Sequence, residues 1–183
     1  MTKKVFVGYS TWSGSTHEVA DAIAIHLKKC GFEVEVFNFK NVKILSNYDA
    51  FILGTSIHAS HPSGAFINFI KKNYTILSKK QTALFVVCAN MFEDTPENRS
   101  ETLTWLQDSL KDIPAISFLD IGLFGGAVIT SGPDYEKLNP FVKLIIKSMK
   151  KTIVEKLEHE DFRDWEKITL WSEEIARKIE GAV

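Results

Sequence analysis

The chain has 183 residues, of which 45% are hydrophobic and 25% charged, and its formal net charge is -1. This size and composition are typical of one soluble globular domain with a full hydrophobic core. Because there is no surplus of basic residues to neutralise phosphates, the charge balance argues against nucleic-acid binding. Two cysteines, Cys30 and Cys88, are too few for a disulfide framework and have no metal-binding spacing. We therefore expect a reducing compartment and predict no metal site.

The sequence carries no pattern typical of secretion or of membrane insertion. The apolar run at residues 5–7 is too short for the core of a signal peptide. No uncharged stretch approaches the roughly 20 residues that span a bilayer. These features predict a cytoplasmic protein, with peripheral contact at the inner face of a membrane as the alternative.

Short apolar runs alternate with helical patterns along most of the chain. The predicted strands are residues 5–9, 34–38, 50–55, 83–88 and 116–129, the last with a break near 122–126. The predicted helices follow the first strand, begin near Pro62, follow Thr95-Pro96 and begin near Asp164. Strands without polar alternation that alternate with helices predict a parallel sheet with helices on both faces, an α/β fold. No linker or repeat interrupts residues 1–183, so we predict one domain.

Residues 130–163 depart from this alternation and form a predicted helical insertion between the fifth strand and the last helix. Its apolar side chains share one helical stripe: Val142, Ile145, Ile146, Met149, Ile153 and Leu157. Its basic side chains lie along one flank: Lys143, Lys147, Lys150 and Lys151. Two interpretations fit this pattern. The helix packs on the sheet with a solvated lysine face, or residues 137–157 lie on an anionic membrane surface.

The loop after the first strand carries the strongest chemical signal. Residues 10–16 offer hydroxyl side chains at five of seven positions, contain Gly14 and lead into a helix. A helix amino terminus presents unpaired N–H groups and a positive dipole end, which suit a phosphate. The loop has no lysine or arginine, which favours one phosphomonoester over a nucleoside triphosphate. The spacing of Ser15 and Glu18 also fits a capping box, so a simple helix cap is the alternative.

Other phosphate-binding and phosphoacceptor motifs do not fit. No lysine follows Gly14 as a P-loop requires, and Gly8 and Gly14 are too far apart for a dinucleotide fingerprint. Receiver domains need acidic residues where this chain has hydroxyl residues and Gly54-Thr55. Ligands of parallel sheets bind beyond the carboxyl ends of the strands, at the point where the strand order reverses. We therefore predict one ligand site formed by Ser10, Thr11, Trp12, Ser13, Gly14, Ser15, Thr16, Thr55, Ser56, Ile57, His58, Asn90, Met91 and Phe92.

Residues 11–16 resemble the flavodoxin loop that wraps the phosphate of FMN, and residues 48–56 are similar to the flavodoxin strand that leads to the first isoalloxazine loop. The resemblance implies a flavodoxin-like three-layer sandwich, with a five-stranded parallel sheet in the order 2-1-3-4-5. It also implies FMN as the cofactor. In such a site Trp12 could cover the flavin edge or be a surface aromatic residue. His58 could donate to the flavin N1 or O2 region or make a local backbone bond.

Over nearly its whole length, the chain resembles most the flavodoxin-type menaquinone-dependent protoporphyrinogen oxidases. The matching residues are Ser10-Thr11, Gly14, Thr16, Gly54–Ile57, His61, Ala65-Phe66, Phe69, Asn90, Gly126-Ala127, Phe141, Lys143–Ile145, Met149 and Asp164–Glu166. The resemblance implies an FMN-dependent oxidoreductase with a quinone as a candidate partner. Trp12 and His58 stand where that family usually carries arginines, so the resemblance supports the flavin site better than the porphyrinogen substrate.

Two other functions remain open at the level of the sequence, and no side chain is predicted to be an acid or base catalyst. The first is a flavodoxin-type electron carrier that docks a redox-protein partner and has no small-molecule substrate. Such carriers are usually strongly acidic, which the net charge of -1 does not match. The second is an interaction module that has lost the flavin, against which the hydroxyl-rich loop argues.

Overall fold

A central sheet of five parallel strands organises the computed structural model, which describes residues 2–42 and 44–181. The strands are β1 (Lys4–Ser10), β2 (Glu33–Asn38), β3 (Ala50–His58), β5 (Gln81–Cys88) and β6 (Ile121–Gly125), with a short β4 (His61–Pro62) antiparallel to β3. The helices are α1 (Ser15–Lys29), α2 (Gly64–Leu77), α3 (Pro96–Leu110), α4 (Pro133–Glu136), α5 (Pro140–Leu157) and α6 (Trp165–Glu180). The sheet order is β2-β1-β3-β5-β6.

The predicted strand order is confirmed, because β4 is an added hairpin strand outside the path of the sheet. Two local predictions were wrong. Pro62 belongs to β4, and α2 begins at Gly64 after the cap residue Ser63. Gly122 lies inside β6 and marks no break in the strand. A Cβ atom at this position would come within 2.9 Å of the Trp171 ring of α6. The glycine thus makes room for helix packing.

Each face of the sheet buries its own hydrophobic cluster. Val5 and Val7 of β1 point to the side of α1 and α6, whereas Phe6 between them points to the side of α2 and α3. All three side chains are fully buried. Side chains on opposite faces alternate along a strand, so two covered faces require an unbroken apolar run. Burial of each such side chain contributes about 1.5–3 kcal/mol to stability.

The segment between β6 and α6 forms a loop that closes on itself. It leaves the sheet and returns beside its own start, where Ala127 bridges Asp161. Phe162 N–H donates to the Gly126 carbonyl at 3.0 Å. Helices α4 and α5 lie within this loop, and Ile146 of α5 is buried. The loop lies at the carboxyl ends of the strands, so α5 does not pack on a face of the sheet.

Two consecutive residues in the first turn of α1 hold the two ends of this loop. His17 Nδ1 lies 2.6 Å from the Asp134 carboxylate of α4. Glu18 accepts a hydrogen bond of 2.6 Å from Arg163, whose side chain is only 7% exposed. Arg163 also binds Asp161, whose carboxyl pKa it lowers by hydrogen bonding. We call the His17–Asp134 and Glu18–Arg163 contacts the α1 clasp.

The close approach of the returning segment to β6 yields a stability prediction. A Cβ atom at Gly125 would lie 1.9 Å from the Phe162 carbonyl oxygen. We expect Gly125→Ala to lower the free energy of unfolding by about 1–3 kcal/mol, measured by urea denaturation. Gly64→Ala is the matched control, because open space surrounds that helical position and alanine favours a helix. Equal midpoints for the two variants would contradict this packing.

The α1 clasp yields a second prediction. Hydrogen bonds to charged groups contribute about 1.5–3 kcal/mol, so the double variant Asp134→Asn, Arg163→Gln should release the loop. Tryptic cleavage after Lys147 and Lys151 is expected to be at least about tenfold faster, because cleavage follows the population of the open form. Arg99→Gln, which breaks an exposed ion pair on α3, should leave the cleavage rate unchanged. Cleavage of the double variant at the wild-type rate would show that the clasp does not hold the loop.

Candidate functional site

A cavity of about 70 Å³ lies where the carboxyl ends of β1, β3 and β5 meet under α5. The loop after β1 contributes Trp12, Ser13 and Ser15 to its wall, and the end of β3 contributes Ser56, Ile57 and His58. The sequence-based prediction placed these two segments at one ligand, and the structure brings them together. The remaining wall consists of Val87, Cys88, Ala89, Gly126, Ala127, Val128, Ile146, Met149, Ile153 and Phe162.

The loop after β1 is shaped by a local hydrogen bond and one glycine. Gly14 N–H donates to Thr11 Oγ1 at 2.9 Å, and Gly14 has φ of 124°, a conformation that disfavours other residues. The predicted capping box at Ser15 and Glu18 was wrong. Helix α1 has no side-chain cap, and the Glu18 carboxylate is taken up by Arg163. The amino terminus of α1 therefore keeps donors for a ligand.

Two hydroxyl groups beside this loop are buried without a hydrogen-bond partner among the described residues. They are Ser10 Oγ at the end of β1 and Thr16 Oγ1 in the first turn of α1. A buried polar group that lacks a partner costs about 1–3 kcal/mol, so such groups need an explanation. An anion with several acceptor oxygens, bound in the loop, would supply partners for both. The residues present therefore fit a phosphate group.

The hairpin of β3 and β4 places His58 at the mouth of the cavity. Thr55 Oγ1 accepts a hydrogen bond from Ser63 N–H at 3.1 Å, which fixes the start of α2 against β3. Ala59 and Ser60 form the turn with φ of 47° and 64°. The His58 ring meets Trp12 edge-on, with ring centroids 4.4 Å apart.

His58 is neutral at pH 7. Burial lowers the pKa of its imidazole below the usual value of 6.5, although one face of the residue stays exposed to solvent. Burial likewise raises the pKa of the Cys88 thiol, which hydrogen bonds partly offset. Both titratable groups of the cavity wall are therefore uncharged.

The three residues predicted after β5 lie near the cavity, but their side chains point elsewhere. Asn90 Nδ2 donates to the Asn98 carbonyl and to Thr102 Oγ1 of α3, both at 3.2 Å. Met91 is buried in the cluster beneath α2 and α3. Phe92 is 38% exposed and meets Phe162 edge-on. Val87, Cys88 and Ala89 form this side of the wall instead.

The roof of the cavity is the part that the sequence-based prediction missed. It consists of Ile146, Met149 and Ile153 of α5, together with Phe162. The apolar stripe of α5 was recognised, but its two interpretations were a face of the sheet and a membrane. The spacing of the stripe does not distinguish a helix that packs on a face of the sheet from one that covers a cavity. Among residues 2–42 and 44–181, no three potential metal ligands cluster.

Comparisons with known proteins agree with this fold. The chain is 26% identical over 178 residues to a protoporphyrinogen IX dehydrogenase (quinone) of Escherichia coli K12, and the alignment covers 94% of each chain. It is 29% identical over 154 residues to the enzyme of that name from Leishmania major, which covers 81% of this chain and 62% of the other.

Solved flavodoxins share the fold. A flavodoxin from Fusobacterium nucleatum, crystallised with flavin mononucleotide, has a TM-score of 0.52 at 21% identity and covers 97% of this chain and 98% of the other. An archaeal flavodoxin has a TM-score of 0.50 at 18% identity, and the match covers 85% of this chain and 99% of the flavodoxin. The predicted flavodoxin-like fold is thereby confirmed. A model of the flavodoxin domain family matches residues 6–160, and the chain belongs to that family.

Proposed function

We propose that this protein is an FMN-dependent oxidoreductase that exchanges electrons with a quinone. The observation that carries the proposal is the pair of unpartnered hydroxyls, Ser10 and Thr16, at an uncapped helix terminus beside the cavity. The proposed phosphate-binding residues are Ser10, Thr11, Trp12, Ser13, Gly14, Ser15 and Thr16. The proposed residues around the flavin ring are Thr55, Ser56, Ile57, His58, Asn90, Met91 and Phe92, the last three through their backbone.

The phosphate end of FMN suits the loop for electrostatic reasons. Ser13, Ser15 and Thr16 are buried, and the helix dipole adds partial positive charge without a lysine or arginine. Neutral donors and the partial positive charge of a helix terminus stabilise one phosphomonoester by hydrogen bonding, without a cation. They suit it better than the greater charge of a triphosphate.

When bound, FMN supplies the redox chemistry, and the protein supplies binding, orientation and the local electrostatics. The apolar roof of Ile146, Met149 and Ile153 keeps water from the cavity. Its volume of about 70 Å³ is well below the roughly 300 Å³ of a typical small ligand pocket, so a flat ring would need more room than the cavity has in this structure. We propose that residues 130–163 are a functional insertion of a single flavodoxin-like domain.

The roof also favours an enzyme over an electron carrier. A carrier passes electrons to a protein partner, which needs an uncovered flavin edge and a docking surface of complementary charge. Here a helix covers the cavity, and the net charge of the chain is -1. The relatives matched over nearly their full length are named as quinone-linked dehydrogenases of protoporphyrinogen IX. Their name supports oxidoreductase activity and a quinone partner for this chain.

A titration with FMN, followed by flavin fluorescence, tests the cofactor. We expect one-to-one binding, weakened about 10–100-fold by Thr16→Val, because a hydrogen bond to a charged group contributes about 1.5–3 kcal/mol. Without FMN the same variant should be as stable as the wild type or more stable, since it removes an unpartnered buried hydroxyl. Thr104→Val, at an exposed position on α3, is the matched control. Absence of FMN binding by the wild type would refute the proposed function.

We further propose that the outer face of α5 contacts an anionic membrane surface, from which an apolar quinone can reach the cavity beneath the helix. Phe141 is 71% exposed and Leu144 66%. Residues 140–157 contain five lysines and one glutamate, whereas the whole chain is nearly neutral. Amphipathic helices with lysines beside an apolar face bind at the lipid interface. Within the described part of the chain, no helix has the length and apolarity needed to cross a membrane.

Vesicle binding tests this contact. We expect sedimentation with phosphatidylcholine vesicles that contain phosphatidylserine and little with phosphatidylcholine alone. Lys147→Glu with Lys151→Glu should weaken binding by tenfold or more, because each basic residue near an anionic surface contributes about 1 kcal/mol. The control is Lys71→Glu with Lys72→Glu on α2, which makes the same charge change far from α5 in the sequence. Equal loss in both double variants would leave α5 without a specific role at the membrane.

A further inference from the structure

One edge of the sheet lies in an open cleft. β6 is the last strand in the order β2-β1-β3-β5-β6, and a cleft of about 540 Å³ runs along its outer side. The cleft is lined by residues 121–124 of β6, by Arg99 of α3 and by one side of α6. Because α3 and α6 pack on opposite faces of the sheet, the cleft opens on the strand edge between them. We call it the edge cleft.

The backbone of Leu123 presents both of its polar groups to the edge cleft. Leu84 of β5 pairs with Ile121, and its N–H donates to the Asp120 carbonyl at 3.0 Å. Backbone groups point alternately to the two sides of a strand, so those of Ile121 and Leu123 face away from β5. Ile121 N–H donates to Asp120 Oδ1, but Leu123 N–H and its carbonyl have no partner within residues 2–42 and 44–181. Such an edge is a template for another strand.

The side of α6 in this cleft carries a self-complementary row of charges. Its middle is apolar and consists of Leu170, which is 58% exposed, and Trp171. Lys167 and Glu174 stand at equal distances along the chain on either side of this middle, as do the more distant Asp164 and Arg177. A further carboxylate, at position 166, lies at the end that carries Asp164. If a second copy of the row lies antiparallel to the first, each cation meets a carboxylate.

The middle of the row lies beside the middle of β6, so a single two-fold axis can serve both. The rings of Trp171 and Phe124 are 5.6 Å apart, and Trp171 also packs against Gly122. Two polar groups of the cleft lack a partner within the described part of the chain. Trp171 Nε1 is buried without a hydrogen bond, and Arg177 makes no ion pair because Lys178 engages the carboxylates near it.

We propose that a second copy of this chain docks in the edge cleft, with the β6 strands of the two copies paired antiparallel about a two-fold axis. The two Leu123 residues then exchange both of their N–H···O bonds, and the two sheets become one. The α6 helices lie side by side, with their Leu170 side chains in contact. An extended peptide could pair with the same edge, but it would not supply a row of charges matched to α6.

The contacts that these groups make within one chain do not prevent this pairing. Lys167 binds Asp94 at 2.6 Å, and Glu174 binds Lys178 at 2.7 Å. Exposed ion pairs of this kind contribute only about 0–1 kcal/mol, so a second partner can share them. Among the described residues the edge cleft and the cavity have no lining residue in common, so the inference is independent of the proposed function.

Sedimentation equilibrium of the purified chain tests this contact. We expect a dimer with a dissociation constant in the micromolar range. Lys167→Glu and Glu174→Lys should each weaken the dimer by about tenfold or more, because each variant places like charges opposite one another at two symmetry-related points. The matched control is Lys71→Glu, the same change of charge on an exposed position of α2, which should leave the dimer unchanged.

An equimolar mixture of the two α6 variants distinguishes this geometry from damage to the fold. One partner then carries acidic residues at both positions and the other carries basic ones, so the mixed dimer should form about as tightly as the wild type. Hydrogen exchange provides a second readout at β6. The Leu123 amide of the wild type should exchange more slowly as the chain concentration rises, and this result decides the outcome if a variant fails to fold.

Three results would overturn the inference. The first is a wild-type chain that stays monomeric at about 1 mM, which would leave the edge to a peptide of another protein. The second is a dimer that neither charge change on α6 weakens, since its contact would lie on another surface. The third is a pair of folded variants that remain monomeric when they are mixed.

Discussion

The first turn of α1 is the constraint on which the rest of the site depends. Its backbone donors lack a side-chain cap, and within the described residues two hydroxyls beside it are buried without partners, so the turn offers several donors to a ligand. The same turn carries His17 and Glu18, which hold the two ends of the loop that covers the cavity. The unpartnered donors and the roof are therefore attached to one helix end, and a displacement of that end would affect both.

The helix α5 carries apolar side chains on two of its sides. Its inner side chains, Ile146, Met149 and Ile153, cover the cavity, while Phe141 and Leu144 face outward. An ordinary amphipathic helix buries one apolar stripe and solvates the other side. A second exposed apolar side on a helix that already packs inward needs an additional partner, and lysines flank that side. The apolar roof of the cavity and the exposed apolar side chains thus lie on the same helix.

Much of this architecture was predictable because it follows local rules. The unbroken apolar run of β1 identified a strand buried on both faces. The helix predicted after Thr95-Pro96 begins at Pro96, and the helix predicted near Asp164 begins at Trp165. The roof was not predictable, because the stripe of α5 is the same whichever apolar surface it meets. The orientation of Asn90 was missed for a related reason. Its amide is bound by Thr102 of α3, a contact between residues that no sequence spacing specifies.

The covering loop begins and ends at adjacent points, where Ala127 bridges Asp161 at the edge of the sheet. Lengthening a loop whose ends are fixed costs little conformational entropy, about 0.6 kcal/mol for each doubling of its length. The strands of the sheet all lie outside the segment between those two points. The segment can therefore change in length or sequence, and with it the roof of the cavity, while the sheet below keeps its fold.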